Sequence, residues 1–152
     1  MMPGSSDLVV EQDVAAPPEV VFAFFTSADR WMLWQGTAAE IDCRPGGVMR
    51  VNVRGDGYAS GEFVEVDPPR RLVFTFGWEQ PGSAVPPGST TVEIVLEPSP
   101  TGTRILLTQR GLPDSEQIAQ HRYGWEHYLP RCAEVASGSD PGPDPAVVGR
   151  GV

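Results

Sequence analysis

The 152 residues predict a single α+β domain in which a curved antiparallel sheet wraps around a long C-terminal helix, with an apolar pocket between them. Three features carry that prediction. One strand-like run with period-2 alternation opens the chain and is followed by two short helical stretches. Six further strand-like runs come next, separated by Gly and Pro pairs. After Pro113 the apolar period changes to that of a helix and stays so to about Ser137.

Leu8, Val10, Gln12 and Val14 alternate with Val9, Glu11 and Asp13, as a half-buried strand requires. Pro17 and Pro18 end that strand. Proline is tolerated in a first helical turn, so they also open the helix that VVFAFF continues, and Glu19 complements its positive end. Ser27 is placed to cap a second short helix through ADRWMLW. From Thr37 to Arg110 the runs are TAAEIDC, VMRVNV, YASGEFVEV, RLVFTFGW, TTVEIVLE and TRILLTQ. The PGG, GDG, DPP and PSPTG between them, with one long Pro/Gly loop, are hairpin and turn chemistry. The alternation slips between Phe63 and Val66, which predicts a β-bulge.

Asp114 with Gln117 three residues on resembles a capping box at the start of the last helix. Ile118, His121, Arg122, Trp125, Tyr128, Leu129, Cys132 and Ala136 form one stripe, expected to face the sheet. Glu116, Tyr123, His127 and Glu134 fall opposite, and Pro130, near the outer flank, should bend the helix without stopping it. The folded domain is therefore expected over residues 7–137. Residues 1–6 read as a flexible N-terminus and 138–152 as a mobile Pro/Gly-rich tail.

Composition removes several function classes. The formal charge of −9 arises from 20 acidic against 11 basic residues, so nucleic acid and anionic membrane are not expected as partners. All 11 basic residues are arginine, which removes lysine chemistry such as Schiff-base formation. Cys43 and Cys132 lie far apart without a CxxC pattern and read as reduced, packed thiols; neither a metal site nor a cofactor is signalled. No GxSxG, GxxxxGK[ST], GxGxxG or HExxH motif occurs. With no signal-peptide pattern at MMPGSSDLVV and no apolar run near the roughly 18 residues of a membrane span, the expected address is the cytoplasm.

Specific words at the turns carry a resemblance. They are APPEVVFAFFTSADRWMLW, RPGG before a strand, GEFVEVDPPRRLVFTF, and GWEHYLPRCAEVASG in the last helix, in that order over roughly residues 7–138. In these the chain resembles bacterial homologues of the C-terminal domain of the heat-shock protein 90 ATPase activator, within the START-like superfamily of SRPBCC proteins. The tail DPGPDP looks like that of some actinobacterial members. The resemblance implies a helix-grip, birch-pollen-allergen-like fold with a hydrophobic cavity, but its members range from ligand carriers to cyclases, so fold alone does not assign function. Cys132, where the family often has a larger aliphatic residue, and Pro130 depart from the pattern. The co-chaperone activity of eukaryotic members is not carried over, because those proteins have an additional N-terminal domain with no counterpart here.

The ligand-binding candidates follow from the alternation. Met49 and Val51 share one face with Val53, and Leu72, Phe74, Phe76 and Trp78 share one face of a nearby strand. Trp31 and Trp34, three apart, lie on one side of their short helix; with His121, Trp125 and Tyr128 they would line an aromatic concavity for a flat apolar ligand. Ordinary core packing is the alternative for each. His121 would be a polar anchor or general base, or a structural histidine bonded to a nearby carbonyl. His127 projects to the other side of the helix and is expected in solvent, as is Arg50 on its strand. Cys132 and His121 are about three helical turns, roughly 16 Å, apart, too far for a catalytic pair.

The expected function is to hold a small apolar, aromatic or polyketide-like molecule, as a monomer or homodimer, without transforming it. A cyclase- or hydrolase-type enzyme using the same cavity, with a proton handled by His121 or Tyr128, and a co-chaperone-like interaction module are the alternatives.

Overall fold

The computed structural model describes residues 7–148, so the expected flexible residues 1–6 and the last four of the tail lie outside the described residues. Strand β1 (Leu8–Val14) leads to helices α1 (Pro18–Ala23) and α2 (Ala28–Trp31). Strands β2 (Ala38–Ile41), β3 (Val48–Asn52), β4 (Tyr58–Asp67), β5 (Arg71–Trp78), β6 (Thr90–Ser99) and β7 (Gly102–Arg110) follow, then helix α3 (Ser115–Ala136). They form one seven-stranded antiparallel sheet, ordered β1-β7-β6-β5-β4-β3-β2. The predicted helix-grip architecture is thus the observed one: a meander closed at one edge by β1, with the long helix across its concave face.

Local chemistry explains the element boundaries. Pro18 occupies the first turn of α1, where a missing N–H costs nothing, and Ser27 caps α2 by accepting from the Arg30 amide at 3.3 Å. Asp114 caps α3 by accepting from the Gln117 amide at 2.9 Å. The ladder between β4 and β5 slips between Phe63 and Glu65, so the bulge lies where the alternation breaks. Pro130 sits inside an unbroken α3.

The buried residues form one core cluster, of which two regions matter for the site. Trp31 and Trp34, each 1% exposed, stack at 5.3 Å between ring centroids, and Phe25 meets both edge-on. Their indole N–H groups donate to Gln35 Oε1 at 2.9 Å and to the Phe24 carbonyl at 3.1 Å. Met49, Val51, Phe63 and Phe74 complete this layer, all buried. Leu8 and Val10 of β1, Ile105 and Leu107 of β7 and Leu129 of α3 are buried as well. Arg122 departs from the expected inward stripe: it is exposed and reaches sideways, Nη1 donating to the Val9 carbonyl at 3.1 Å. A long charged side chain at the stripe's margin can keep its head in water while its donors satisfy a strand carbonyl.

Residues 138–148 lie against the domain. After α3 the chain turns back along the domain: Arg131 Nη2 donates to the Gly142 carbonyl at 2.7 Å, and the Val148 amide donates to the Arg54 carbonyl at 2.7 Å. Asp144 is buried between them. This strap is held by a few polar anchors rather than by apolar area, which a reading based on Pro, Gly and apolar content does not weigh.

Candidate functional site

Where α3 leaves the sheet, a groove of about 1020 Å³ opens between the helix, the ends of β3, β4 and β5, the β5–β6 loop and the strap. Its wall holds Phe76 and Trp78 from β5, His121, Trp125 and Tyr128 from α3, and Val53 just past β3. Gln80 to Ala84 of the loop form one rim and Pro145 and Ala146 of the strap another. Five of the ten expected ligand-binding residues are therefore brought together here. The other five, Trp31, Trp34, Met49, Val51 and Phe74, are not on this wall. Val51 and Phe74 are buried among the packed layer described above, as are Trp31, Trp34 and Met49.

Four of the five rings in the wall, those of Trp78, His121, Trp125 and Tyr128, are fixed by side-chain hydrogen bonds. Trp125 Nε1 donates to Gln109 Oε1 at 2.9 Å; Gln109 Nε2 donates to Thr90 Oγ1 at 3.0 Å, which donates to the Phe76 carbonyl at 2.7 Å. This buried relay ties the helix to β7, β6 and β5. Trp78 Nε1 approaches His121 Nε2 at 3.1 Å, and His121 Nδ1 lies 2.8 Å from the Gln117 carbonyl. An indole N–H can only donate and a carbonyl can only accept, so His121 is the neutral tautomer with its proton on Nδ1. Burial pushes its pKa below the usual histidine value, partly offset by the bond to Gln117. Both nitrogens are thus engaged, which is the arrangement of a positioning residue for Trp78.

Toward the strap, the Tyr128 hydroxyl donates to Asp144 Oδ2 at 2.6 Å, and His127 Nε2 lies 2.8 Å from Asp144 Oδ1. Burial works to raise the Asp144 pKa, but the bonds from Tyr128, His127 and the Ala146 amide outweigh it and hold the carboxyl below its usual value. Burial and the Asp144 carboxylate together push the Tyr128 phenol up. His127, expected in solvent, instead anchors the strap; the helical period gave its direction, but not the segment that returns to meet it.

Two features shape the opening. Gly124, inside α3, lines the groove, and a Cβ there would meet open space. Glycine in a helix interior is unfavourable by about 0.5–1 kcal/mol relative to alanine, and here it leaves the groove unfilled. Gly77 has the opposite surroundings: a Cβ would overlap the Pro86 carbonyl, so the β5–β6 loop lies directly on the strand. At the loop's start Glu79 accepts both Arg50 Nε, at 2.7 Å, and Nη2, at 2.9 Å, and the Arg50 guanidinium sits 3.7 Å from the Tyr58 ring centroid. Arg50 points away from the core, as its alternation predicts.

The two cysteines are unpaired, and burial raises their pKa, to about 11 for half-buried Cys43 with help from Asp42, and to about 12 for Cys132. Among the described residues no group of His, Cys, Asp and Glu is arranged to hold a metal ion, and no helix is long and apolar enough to cross a membrane. A smaller depression of about 530 Å³ lies between α2 and the strap, lined by Leu33, Arg131 and Val148 among others.

Residues 15–136 match the model of the Activator of Hsp90 ATPase homolog 1-like proteins. The chain belongs to that family. Gly138 to Val148, with Asp144, lie beyond the matched residues. Among solved structures it is similar to the AHSA1-like protein of Rhizobium etli, at 49% identity over 91% of this chain and 88% of that one, with a TM-score of 0.72. The fold is also that of the Aha1 dimer from Colwellia psychrerythraea, at 14% identity over 86% and 96% of the two chains, TM-score 0.75. A further match in fold is CalU16 from Micromonospora echinospora, at 24% identity over 87% and 76%, TM-score 0.69. DynU16, a protein in the dynemicin biosynthetic locus, matches at 24% identity and TM-score 0.76 over 90% of this chain, which spans about half (49%) of DynU16. No curated protein matches the chain.

Proposed function

We infer that the domain binds an apolar, aromatic or polyketide-like small molecule in the groove and does not transform it. The observation that carries this reading is the open groove of about 1020 Å³ walled by Phe76, Trp78, Trp125 and Tyr128 beside Gly124. Its size is that of a small-molecule site, and Trp78, Trp125 and Tyr128 are held in place by side-chain hydrogen bonds. The ligand class is supported by one structural neighbour, DynU16, a protein in the dynemicin biosynthetic locus. Against an acid–base role, His121 carries its proton on the nitrogen bonded to Gln117 and offers the other to Trp78. The expected address is the cytoplasm and the expected assembly a monomer or homodimer.

Native mass spectrometry of protein purified from its own host tests the reading. A co-purifying neutral species released on denaturation, and lost from a variant with the groove filled at Gly124, is the expected result. Protein that arrives empty and takes up no aromatic compound from a panel would overturn it.

A further inference from the structure

The strap stands between two cavities. Its Pro145 and Ala146 line the groove of about 1020 Å³, whereas Gly142, Pro143, Asp144, Val147 and Val148 line the depression of about 530 Å³. The turn on which it docks is divided in the same way, with Arg54 and Asp56 in the groove and Gly55 in the depression. Gln35 lines both cavities, so the surface beneath the strap continues from Val53 and Tyr128 in the groove, through Gln35, to Trp34 and Leu33 beside α2. Leu33 is 53% exposed, which leaves apolar surface uncovered at that end.

The two rims of the groove are held by different means. On the β5–β6 loop Val85 is 1% exposed, its carbonyl accepts from the Trp78 amide at 2.6 Å, and the Pro86 carbonyl lies directly on Gly77. Lifting that loop would expose apolar surface to water. Among residues 138–148 only Asp144 is buried, and the Tyr128 hydroxyl and the His127 ring bond it to α3. A carboxylate, a phenol and an imidazole all regain hydrogen bonds from water when they part, so the strap can open while the sheet and α3 stay folded. We propose that the strap is a removable partition: closed, it confines the site to the groove; lifted, it joins groove and depression into one trough for a longer class of aromatic ligand, reaching from Trp78 to α2. This inference rests on the ligand-binding reading above. A long ligand then bears the cost of opening, so its apparent affinity scales with the fraction of molecules whose strap is lifted.

The test is a pair of uncharged probes with the same phenyl ends, trans-stilbene and the longer diphenylhexatriene, titrated into the full chain and followed by tryptophan quenching. Neither probe has a polar hydrogen or a lone-pair acceptor, so polar side chains on the rims bear on both alike. In Asp144→Ala, and independently in the chain truncated after Gly138, the affinity for diphenylhexatriene relative to stilbene should rise roughly tenfold or more, as the anchoring bonds no longer oppose opening. Melting curves establish that each variant is folded. A ratio unchanged or lowered in both variants would overturn the partition and leave the carrier reading standing. Binding of neither probe by the folded wild type and variants would sink both.

Discussion

His121 shows how much a side chain's role depends on its partners. Helical spacing places it inward beside Trp125, and it is there, 9% exposed, but the bond to Trp78 across the groove joins residues 43 positions apart and has no local signal. Its folded pKa lies below the unfolded value of about 6.5, so the folded state disfavours the proton. The stability it contributes is fully present above about pH 6.5 and is lost as pH falls from there through the folded pKa. The melting temperature of the wild type should accordingly decline across that window, and His121→Gln, which can still accept from Trp78, should show a shallower decline. Parallel pH–melting curves for the two proteins would remove His121 from the account. Tyr128 is different in kind: the alternation and stripe place the ring, but the acceptor that sets its chemistry lies in a segment whose composition reads as tail.

Among elements, the strands and helices were legible because each has a local signature. Ser27 and Asp114 cap as their residue types suggest, Pro17 and Pro18 separate β1 from α1, and the slip after Phe63 is the bulge. The strap was not legible. Its hold on the domain is Asp144 on His127 and Tyr128, Arg131 on Gly142, and Val148 on Arg54, all between residues too far apart for a local pattern to register. Truncation after Gly138 should for that reason destabilise the domain, where a free tail would leave stability unchanged. At about 1 kcal/mol per net hydrogen bond, the loss of these four costs up to roughly 4 kcal/mol, with the melting temperature down by up to about 8–16 °C. A truncated protein melting with the full chain would show that the strap is bound too weakly to shape the groove.

At the scale of the molecule, one strand face serves two purposes. Along β5, Leu72, Phe74, Phe76 and Trp78 all point inward as alternation requires, yet Leu72 and Phe74 are in the packed layer while Phe76 and Trp78 face the groove. The same division falls between Met49 and Val51, which are packed, and Val53, which is on the wall. Periodicity reports which side of an element is covered. It carries no information on whether the cover is another side chain or an open volume, because that depends on where α3 crosses the sheet. Gly124 is the sequence feature closest to a marker of the opening, a helix-interior glycine with nothing above it. It also allows a direct test. Gly124→Leu should raise the stability of α3 by roughly 0.5–1 kcal/mol through helix propensity while placing a side chain in the groove. The decisive measurement is therefore a titration of wild type and Gly124→Leu with a neutral solvatochromic dye such as Nile red, alongside their melting temperatures. Saturable, blue-shifted binding by the wild type with tryptophan quenching, lost in a variant that melts at or above the wild-type temperature, is the predicted result; no uptake by the wild type, or equal uptake by both, would contradict the groove as a ligand site.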